Sequence, residues 1–211
     1  MKKPIRIEHV SKKYKTKLAL DNVSFSIDGV GITGLIGANG AGKTTLLQLL
    51  AGEIRASKGE VVVFEKNPFV SLIASQSIFF FRSDTPIAPT MTVKRLFKQM
   101  KRFYPTWNNE LAEKLIAFFQ ISPNALFSEL STGKASLIRG LVGICVSCPL
   151  TIFDEPTLGM DESTREEFYR ALLKSYLLNP RAIIISTHYI SEVDKLCDHL
   201  LVINKGKLLI S

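Results

Sequence analysis

The feature that most restricts the fold of this chain is a glycine-rich segment placed between a β-branched run and a helical pattern. Ile32–Ile36 before the segment is typical of a buried strand, and Lys43–Leu50 has the composition of a helix. The segment matches the pattern G-x-x-x-x-G-K-[ST] in full, as Gly37-Ala38-Asn39-Gly40-Ala41-Gly42-Lys43-Thr44. Because glycines let the backbone turn tightly, successive N–H groups from about Gly40 to Thr45 can converge on one anion. The pattern therefore predicts a loop that binds the phosphates of a nucleotide.

The two polar side chains that end this phosphate loop (residues 37–44) have the chemistry that a nucleoside triphosphate requires. Lys43 is predicted to neutralise charge at the β- and γ-phosphates, and the hydroxyl of Thr44 can ligate Mg²⁺. The dipole of the following helix adds positive potential at the same place. The alternative is a glycine-rich turn with a purely structural role, which the agreement of strand, loop and helix disfavours.

Composition places the chain among ordinary globular proteins. Of its 211 residues, 46% are hydrophobic and 22% are charged, which excludes a disordered, collagen-like or disulfide-stapled chain. The longest mostly apolar run, from Leu141 to Phe153, is shorter than the ~20 residues of a membrane-spanning helix and contains Pro149. No apolar segment follows the first charged residues, and the cysteines number three. We therefore expect a cytoplasmic protein with reduced thiols.

The net charge of +8 is concentrated in two clusters. Residues 1–17 carry seven Lys and Arg side chains against Glu8 alone, and residues 91–107 carry five with no acid. Concentrated positive charge suits phosphates, nucleic acid or an anionic membrane surface. Two solvated faces are the alternative for either cluster taken alone.

Short apolar runs alternate with helical patterns, which is typical of an α/β fold. From about residue 81 to 148 the strand signals nearly vanish, and three helical stretches follow one another. In the first stretch Thr92 can cap a helix whose apolar residues recur at helical spacing, namely Val93, Leu96, Phe97 and Met100. We therefore predict one domain over residues 1–211, with a core at 1–80 and 149–211 and a helical subdomain at about 81–148.

Two carboxylates follow the apolar run Leu150–Phe153, at the strand end where ligands bind in parallel sheets. Asp154 suits a direct or outer-shell Mg²⁺ role, and Glu155 is placed to polarise an attacking water. An acidic pair at a strand end is often a helix cap instead, and Pro156 could begin such a turn. Because the chain also carries the phosphate loop, we interpret the pair as catalytic.

Several further segments together resemble the ATP-binding subunits of ABC transporters, over nearly the whole chain. Residues 130–134, the signature segment, resemble the family's LSGGQ motif. Residues 154–161 match the family's acidic strand end and the loop after it, and Ser186-Thr187-His188 matches its switch-histidine region. Gln76 resembles the Q-loop glutamine, and Tyr14 resembles the aromatic residue that stacks on adenine.

The resemblance implies roles for these residues. In the family, two subunits sandwich two ATP molecules head to tail, so the signature segment of one closes the phosphate site of the other. Ser131 and the backbone N–H of Gly133 would contact the γ-phosphate, and Asp161 would work across the dimer interface. His188 would contact the γ-phosphate and the water, while Gln76 would sense Mg²⁺ and tie the helical subdomain to the core.

The resemblance also implies a fold and a function. The fold is an α/β P-loop NTPase core, a mostly parallel sheet flanked by helices, with an antiparallel β part at the N-terminal side and an inserted α-helical subdomain. The function is that of an ATP-binding and ATP-hydrolysing subunit. Residues 104–107 and 187–189 further resemble small bacterial exporter ATPases for peptides and antimicrobials, which implies export of a peptide, antimicrobial or lipid-like substrate.

The implied ligands are ATP and Mg²⁺, and the implied partners are a separate transmembrane permease and a second ATP-binding subunit, in a homodimer or heterodimer. The protein would lie on the inner face of the cell membrane, and no nucleic acid is expected. One alternative is a stand-alone ABC-type ATPase acting on nucleic acid or ribosomes, although such relatives usually need a longer chain. Another is a cassette that senses ATP without hydrolysing it. Thr132 and Lys134 depart from the signature motif and leave this reading open, while Glu155 and His188 argue against it.

Overall fold

The computed structural model describes residues 4–82, 84–189, 193–194 and 196–210. Lys2 and Lys3 of the first cationic cluster lie outside these residues. The strands and helices follow one another in chain order as β1 (Ile5–Tyr14), β2 (Lys17–Ile27), β3 (Gly31–Ile36), α1 (Lys43–Leu50), β4 (Lys58–Val63), α2 (Leu72–Gln76), β5 (Ile78–Arg82), α3 (Val93–Phe103), α4 (Asn109–Phe118), a 3₁₀ helix (Phe127–Glu129), α5 (Thr132–Val146), β6 (Leu150–Asp154), α6 (Glu162–Leu178), β7 (Ala182–Thr187), β8 (His199–Asn204) and β9 (Lys207–Ile210).

The larger sheet has the strand order β5-β6-β7-β3-β8-β9. Its pairs β6–β7, β3–β7 and β3–β8 are parallel, whereas β9 pairs antiparallel with β8. The strands β3, β6 and β7 are buried along their whole length, so their sequences are almost continuously apolar. This sheet confirms the predicted α/β fold.

The smaller sheet has the order β2-β1-β4 and is antiparallel throughout. Its inward side chains, among them Ile5 and Leu20, join Leu46 of α1 in one apolar core. The predicted antiparallel part is therefore confirmed. Strands β1 and β2 extend well beyond the apolar runs in the sequence, because backbone pairing continues through a polar hairpin to the pair of Tyr14 with Lys17.

The sequence did not predict α2, β5 or α6. Helix α6 is largely polar, and only Phe168, Leu172 and Ser175 of its residues are buried, so its apolar periodicity is weak. It is held against α5 at Gly140, where an added Cβ would lie 2.6 Å from the ring of Phe168. Strand β5 overlaps the start of the segment, from about residue 81, in which the sequence shows almost no strand signal.

The chain divides into two compact units. The α/β unit comprises Met1–Phe80, Pro149–Asp154 and Arg181–Ser211, and the helical unit comprises Phe81–Cys148 and Glu155–Pro180. This division differs from the predicted one at Glu155–Pro180, which the sequence grouped with the core. Contact between α5 and α6 places that segment with the helices.

Within the described residues, none of the helices combines the length and the apolar character that crossing a bilayer demands.

Candidate nucleotide site

Three parallel strands bring the predicted site residues of the α/β unit to one edge of the larger sheet. Strand β7 lies between β6 and β3. In this register Asp154 is opposite Ser186, and Ile36 is opposite Thr187. The phosphate loop, Asp154 and His188 therefore all follow the carboxyl ends of neighbouring strands, which is where ligands bind in open α/β sheets.

The phosphate loop is fixed by backbone contacts that exclude side chains at two of its glycines. Gly42 has φ 115° and is the N-cap of α1, and a Cβ there would lie 2.8 Å from the carbonyl oxygen of Ala19. A Cβ on Gly37 would collide with the carbonyl oxygen of Ile203. At Gly40 an added Cβ would meet nothing within 4 Å, so that side of the loop faces open space. Strands β2 and β8 thus shape the loop while one side stays open to a ligand.

The amino end of α1 is suited to an anion. No side chain caps this end of the helix, and the first N–H groups of any helix lack intrahelical acceptors. Lys43, only 5% exposed, donates from Nζ to the carbonyl oxygens of Gly37 at 2.7 Å and Ala38 at 3.5 Å. An ammonium group held on loop carbonyls lies beside the position that the loop offers to phosphate.

A hydrogen-bond chain that starts at the exposed side chain of Thr44 joins the phosphate loop to the end of β6. Thr44 donates from Oγ1 to Oδ2 of Asp154 at 2.7 Å, and Ser186 donates from Oγ to Oδ1 at 2.5 Å. Asp154 is 6% exposed and Ser186 is fully buried. A hydroxyl and a carboxylate at this distance are hard oxygen donors of the kind that Mg²⁺ prefers. The structure thus brings together Thr44 and Asp154, two of the three residues predicted to contact Mg²⁺.

Sequence reasoning missed Ser186 as a site residue. Its signals were a hydroxyl directly after the apolar run Ile183-Ile184-Ile185 at a strand end, and its place in the segment that resembles the switch-histidine region. In the structure Ser186 donates a hydrogen bond to Oδ1 of Asp154, while Thr44 donates to Oδ2. Such a buried carboxylate would otherwise carry an unmet acceptor.

Glu155 and His188 occupy the positions that directly follow the ends of β6 and β7. Glu155 is half-buried and has φ 50°, a left-handed conformation that is uncommon for a residue with a Cβ and is often found at active sites. His188 is exposed, and its ring lies beside that of Tyr189 with centroids 3.9 Å apart.

Tyr14 lies in the polar hairpin between β1 and β2. Tyr14 pairs with Lys17 of β2. Ala19, two residues after Lys17, directs its carbonyl oxygen toward Gly42 of the phosphate loop. Tyr14 is 42% exposed, and the Nζ of Lys12 lies 5.1 Å from its ring centroid. The ring of Tyr14 is accessible, and its stacking on adenine stays a prediction.

Gln76 is not brought to the phosphate edge. It ends α2, and the carbonyl of the next residue, Ser77, accepts a hydrogen bond of 3.0 Å from the N–H of Leu150. Leu150 begins β6, whereas Asp154 ends it, and the five-residue strand separates its ends by roughly 13 Å. The predicted contact of Gln76 with Mg²⁺ is therefore corrected, because the glutamine lies at the opposite end of the strand.

The signature residues belong to the helical unit. Ser131 is the exposed N-cap of α5, and its Oγ accepts a 3.3 Å hydrogen bond from the N–H of Lys134. A Cβ on Gly133 would collide with the carbonyl oxygen of Gly159. Thr132 is the first helical residue, so its Cβ is accommodated where the family has glycine. The segment therefore keeps the helix amino end that the prediction requires.

Asp161 is the exposed N-cap of α6 in the same unit. Its carboxylate accepts hydrogen bonds of 2.8 Å from both the N–H and the hydroxyl of Thr164. These bonds, the backbone one first, lower the pKa of Asp161 below its ordinary value. Asp161, Ser131 and Gly133 line one cleft of about 340 Å³ together with apolar side chains such as Leu137.

Residues 20–158 match the family described as ABC transporter. The chain belongs to the ABC transporter family. It is an ATP-binding subunit and an ATPase of that family. The match includes the phosphate loop, the signature segment and Asp154, and His188 lies beyond it.

Two curated relatives are similar to this ABC transporter subunit over most of its length. The ABC transporter ATP-binding protein YtrB of Bacillus subtilis is 28% identical over 200 residues, covering 93% of this chain and 67% of the relative. The Nod factor export ATP-binding protein I of Burkholderia orbicola is 31% identical over 213 residues, covering 97% of this chain and 69% of the relative.

A solved structure of a dimeric ATP-binding cassette in a post-hydrolysis state, bound to ADP and Pi, has the same fold. It superposes with a TM-score of 0.83 at 19% identity, covering 97% of this chain and 96% of that one. The predicted P-loop NTPase fold of this ABC transporter subunit is thereby confirmed.

Proposed function

We propose that this ATPase subunit uses ATP and Mg²⁺ to drive export of a substrate through a separate membrane permease. The observation that carries the catalytic part is the hydrogen-bonded arrangement of exposed Thr44 with buried Asp154 and Ser186, directly beside the phosphate loop. It provides a satisfied carboxylate and a hydroxyl at one strand edge, next to a lysine held on loop carbonyls.

The residues of the phosphate loop and of the ends of β6 and β7 then each have a defined task. Lys43 exchanges its carbonyl acceptors for phosphate oxygens, and the N–H groups at the start of α1 bind the same phosphates. Thr44 and Asp154 would hold Mg²⁺, which would neutralise developing charge on the phosphates. Glu155 orients and deprotonates the attacking water, and His188 fixes the γ-phosphate and that water.

The helical unit completes the site of a second copy or of a paralogue. Ser131 and the N–H of Gly133 present a helix amino end to the γ-phosphate bound by the partner, and Asp161 lies at the same interface. The exposure of Ser131 and its position as N-cap of α5 support this arrangement. The dimeric cassette with ADP and Pi is a precedent for it at the level of the fold.

Export is supported by the relatives that are named for Nod factor export. We infer a peptide, antimicrobial or lipid-like substrate, selected by the permease rather than by this subunit. The subunit then lies at the inner face of the cell membrane, held there by its permease.

Glu155→Gln tests the catalytic assignment. The amide cannot accept the proton of the water, so ATP should be bound but not hydrolysed, and an ATP-dependent dimer should accumulate in size-exclusion chromatography. Glu162→Gln, an exposed position at the start of α6, is the matched control and should hydrolyse ATP normally. A Glu155→Gln protein that stays monomeric and turns over ATP at the unmodified rate would contradict the assignment.

The permease is tested separately by affinity purification of the subunit from detergent-solubilised membranes. Recovery of a multi-span membrane protein supports the transport proposal. Recovery of ribosomes or RNA alone would instead favour the stand-alone ATPase, without bearing on the catalytic residues.

A further inference from the structure

Helix α3 carries a cationic face that the nucleotide site does not use. Its charged residues are Lys94, Arg95, Lys98, Lys101 and Arg102, and all of them are exposed. At 100° per residue they fall within an arc of about 120°. The opposite face packs inward through Val93, Leu96 and Phe97, which are buried. The helix is therefore held by its apolar face and presents five positive charges outward.

Among the residues that the structure describes, no acidic side chain pairs with this charge. The sequence has no Asp or Glu between Asp84 and Glu110. Helix α5, which contacts α3, contributes only the cations Lys134 and Arg139 and no carboxylate. Among the described residues none of the five α3 cations forms an ion pair.

The surface charges of the neighbouring helices follow a different pattern. On α4, Lys114 pairs with Glu110 one turn away. On α6, Arg170 pairs with both Glu166 and Glu167. Such pairs are the ordinary way in which a solvated helix face gains stability. The unpaired cations of α3 therefore differ from the paired surface charges on α4 and α6.

Part of the charge on α3 works against the stability of the helix itself, although Lys101 and Arg102 in the last turn are favourably placed near the negative end of the helix dipole. Lys98 has like-charged neighbours three or four residues away on both sides, and such pairs are repulsive. Lys94 and Arg95 lie in the first turn, near the positive end of the helix dipole. A local feature that opposes the fold is typically retained for an interaction.

We propose that the cationic face of α3 binds the anionic headgroups of a phospholipid bilayer. Five cations on one convex face complement a plane of negative charge, and basic clusters of this size on amphipathic helices are typical of such binding. Phe103, 73% exposed at the carboxyl end of α3, adds an apolar side chain next to Arg102. A surface that stacks nucleic acid bases carries aromatic residues among its cations, and the cationic face of α3 has none between its cations.

The inference rests on the proposed function, because a subunit working on a membrane permease is held beside a bilayer. It adds that the helical unit binds lipid directly. The subunit would therefore bind an anionic membrane without its permease.

The test uses the purified full chain and sedimentation with two kinds of vesicle, phosphatidylcholine alone and phosphatidylcholine mixed with phosphatidylglycerol. Binding should occur only to the anionic vesicles and should weaken as salt rises. Each cation near an anionic surface strengthens binding roughly fivefold. Lys94→Gln/Lys98→Gln/Lys101→Gln should therefore bind roughly a hundredfold more weakly.

The matched control is Lys66→Gln/Lys174→Gln/Lys205→Gln, which removes the same net charge from exposed, scattered positions. The proposal requires this control to bind like the unmodified chain. Equal weakening in both variants would show general charge attraction and overturn the proposal. Absence of binding to anionic vesicles by the unmodified chain would overturn it as well, as would RNA binding that α3 alone controls without any vesicle binding.

Two further measurements separate this inference from the proposed function. The α3 variant should keep the ATPase rate of the unmodified chain in solution, because none of its substitutions touches the nucleotide site. Its thermal midpoint should not fall, because like-charge repulsion has been relieved. If the unmodified chain hydrolyses ATP but binds no vesicles, the lipid proposal alone is overturned. If the Glu155→Gln protein loses ATPase activity but still binds anionic vesicles, the lipid proposal is supported independently of the catalytic one.

Discussion

The two units present their functional groups in opposite ways. In the α/β unit, Lys43, Asp154 and Ser186 are buried. Lys43 donates a hydrogen bond to a carbonyl of the phosphate loop, and Ser186 donates one to Asp154. In the helical unit, Ser131 and Asp161 are exposed at helix amino ends, where their side chains accept bonds from their own first turns. The first set is therefore organised by hydrogen bonds within its own chain, whereas the second leaves exposed helix amino ends, which is the arrangement that the proposed second subunit requires.

The largest effect should come from combining a defect in each unit. Lys43→Ala removes the phosphate-loop cation and Ser131→Ala removes the displayed hydroxyl, so each variant alone should lose ATPase activity by about a hundredfold or more. A mixed dimer contains one site with an intact loop from one chain and an intact signature from the other. Mixing the two inactive proteins should therefore restore activity, measured as phosphate release.

Titrating one inactive protein into a fixed amount of the other gives this experiment its control. Activity should rise with the fraction of mixed dimer and stay absent when Lys43→Ala is mixed with a Lys43→Ala/Ser131→Ala double variant. Failure of the first mixture to regain activity, despite dimer formation, would contradict the division of the site between two chains.

A smaller effect on ATPase activity should follow from Ser186→Ala. This variant tests whether hydrogen bonds within the α/β unit orient Asp154. The substitution leaves one oxygen of Asp154 without its 2.5 Å donor, so the carboxylate is less well oriented for Mg²⁺. Loss of a hydrogen bond to a charged group is worth about 1.5–3 kcal/mol, and we expect the Mg²⁺ concentration for half-maximal ATPase activity to rise about tenfold.

The readout for Ser186 separates positioning from general damage. At saturating Mg²⁺ the ATPase rate should recover most of its unmodified value, and nucleotide binding without Mg²⁺ should not change. Ser186→Thr, which keeps the hydroxyl, should retain the Mg²⁺ dependence of the unmodified chain. A uniform fall in rate at every Mg²⁺ concentration would instead indicate a structural role only.

The smallest effect concerns the cap of α6. Hydrogen bonds from Thr164 lower the pKa of Asp161 from its ordinary value of 3.8, so this carboxylate adds stability above that value and loses it as pH falls through the folded-state pKa. Thr164→Val removes the hydroxyl donor. The pKa of Asp161, followed by NMR titration, should rise toward the ordinary value but not reach it, since the backbone N–H still donates.

Thr164→Ser keeps a hydroxyl and is the control for that substitution. Urea unfolding should show a lower stability for Thr164→Val at neutral pH, and the difference should vanish once pH lies below the folded-state pKa. A difference that persists unchanged in acid would mean that the cap does not act through the charge of Asp161.

The sequence predicted the parts of the site that depend on local chemistry. The phosphate loop, the start of α1 at Lys43 and the cap of α3 at Thr92 are found where predicted, because glycines, a strand and a helix start act within a few residues. The prediction for Gln76 was wrong, because it was based on the position of the glutamine along the chain and not on its position in the sheet. The family match leaves the roles of Glu155, His188 and Tyr14 as proposals.

By itself, the sequence determined that this chain binds a nucleotide on an α/β core with a helical insertion, because those features arise from short-range patterns of residue types. Only the tertiary structure decided which distant residues share the edge beside the phosphate loop. Strand order and register bring Ser186 to Asp154 and move Gln76 to the far end of β6. Such pairing joins residues far apart in the chain, and it is fixed by burial and backbone hydrogen bonds across the whole sheet.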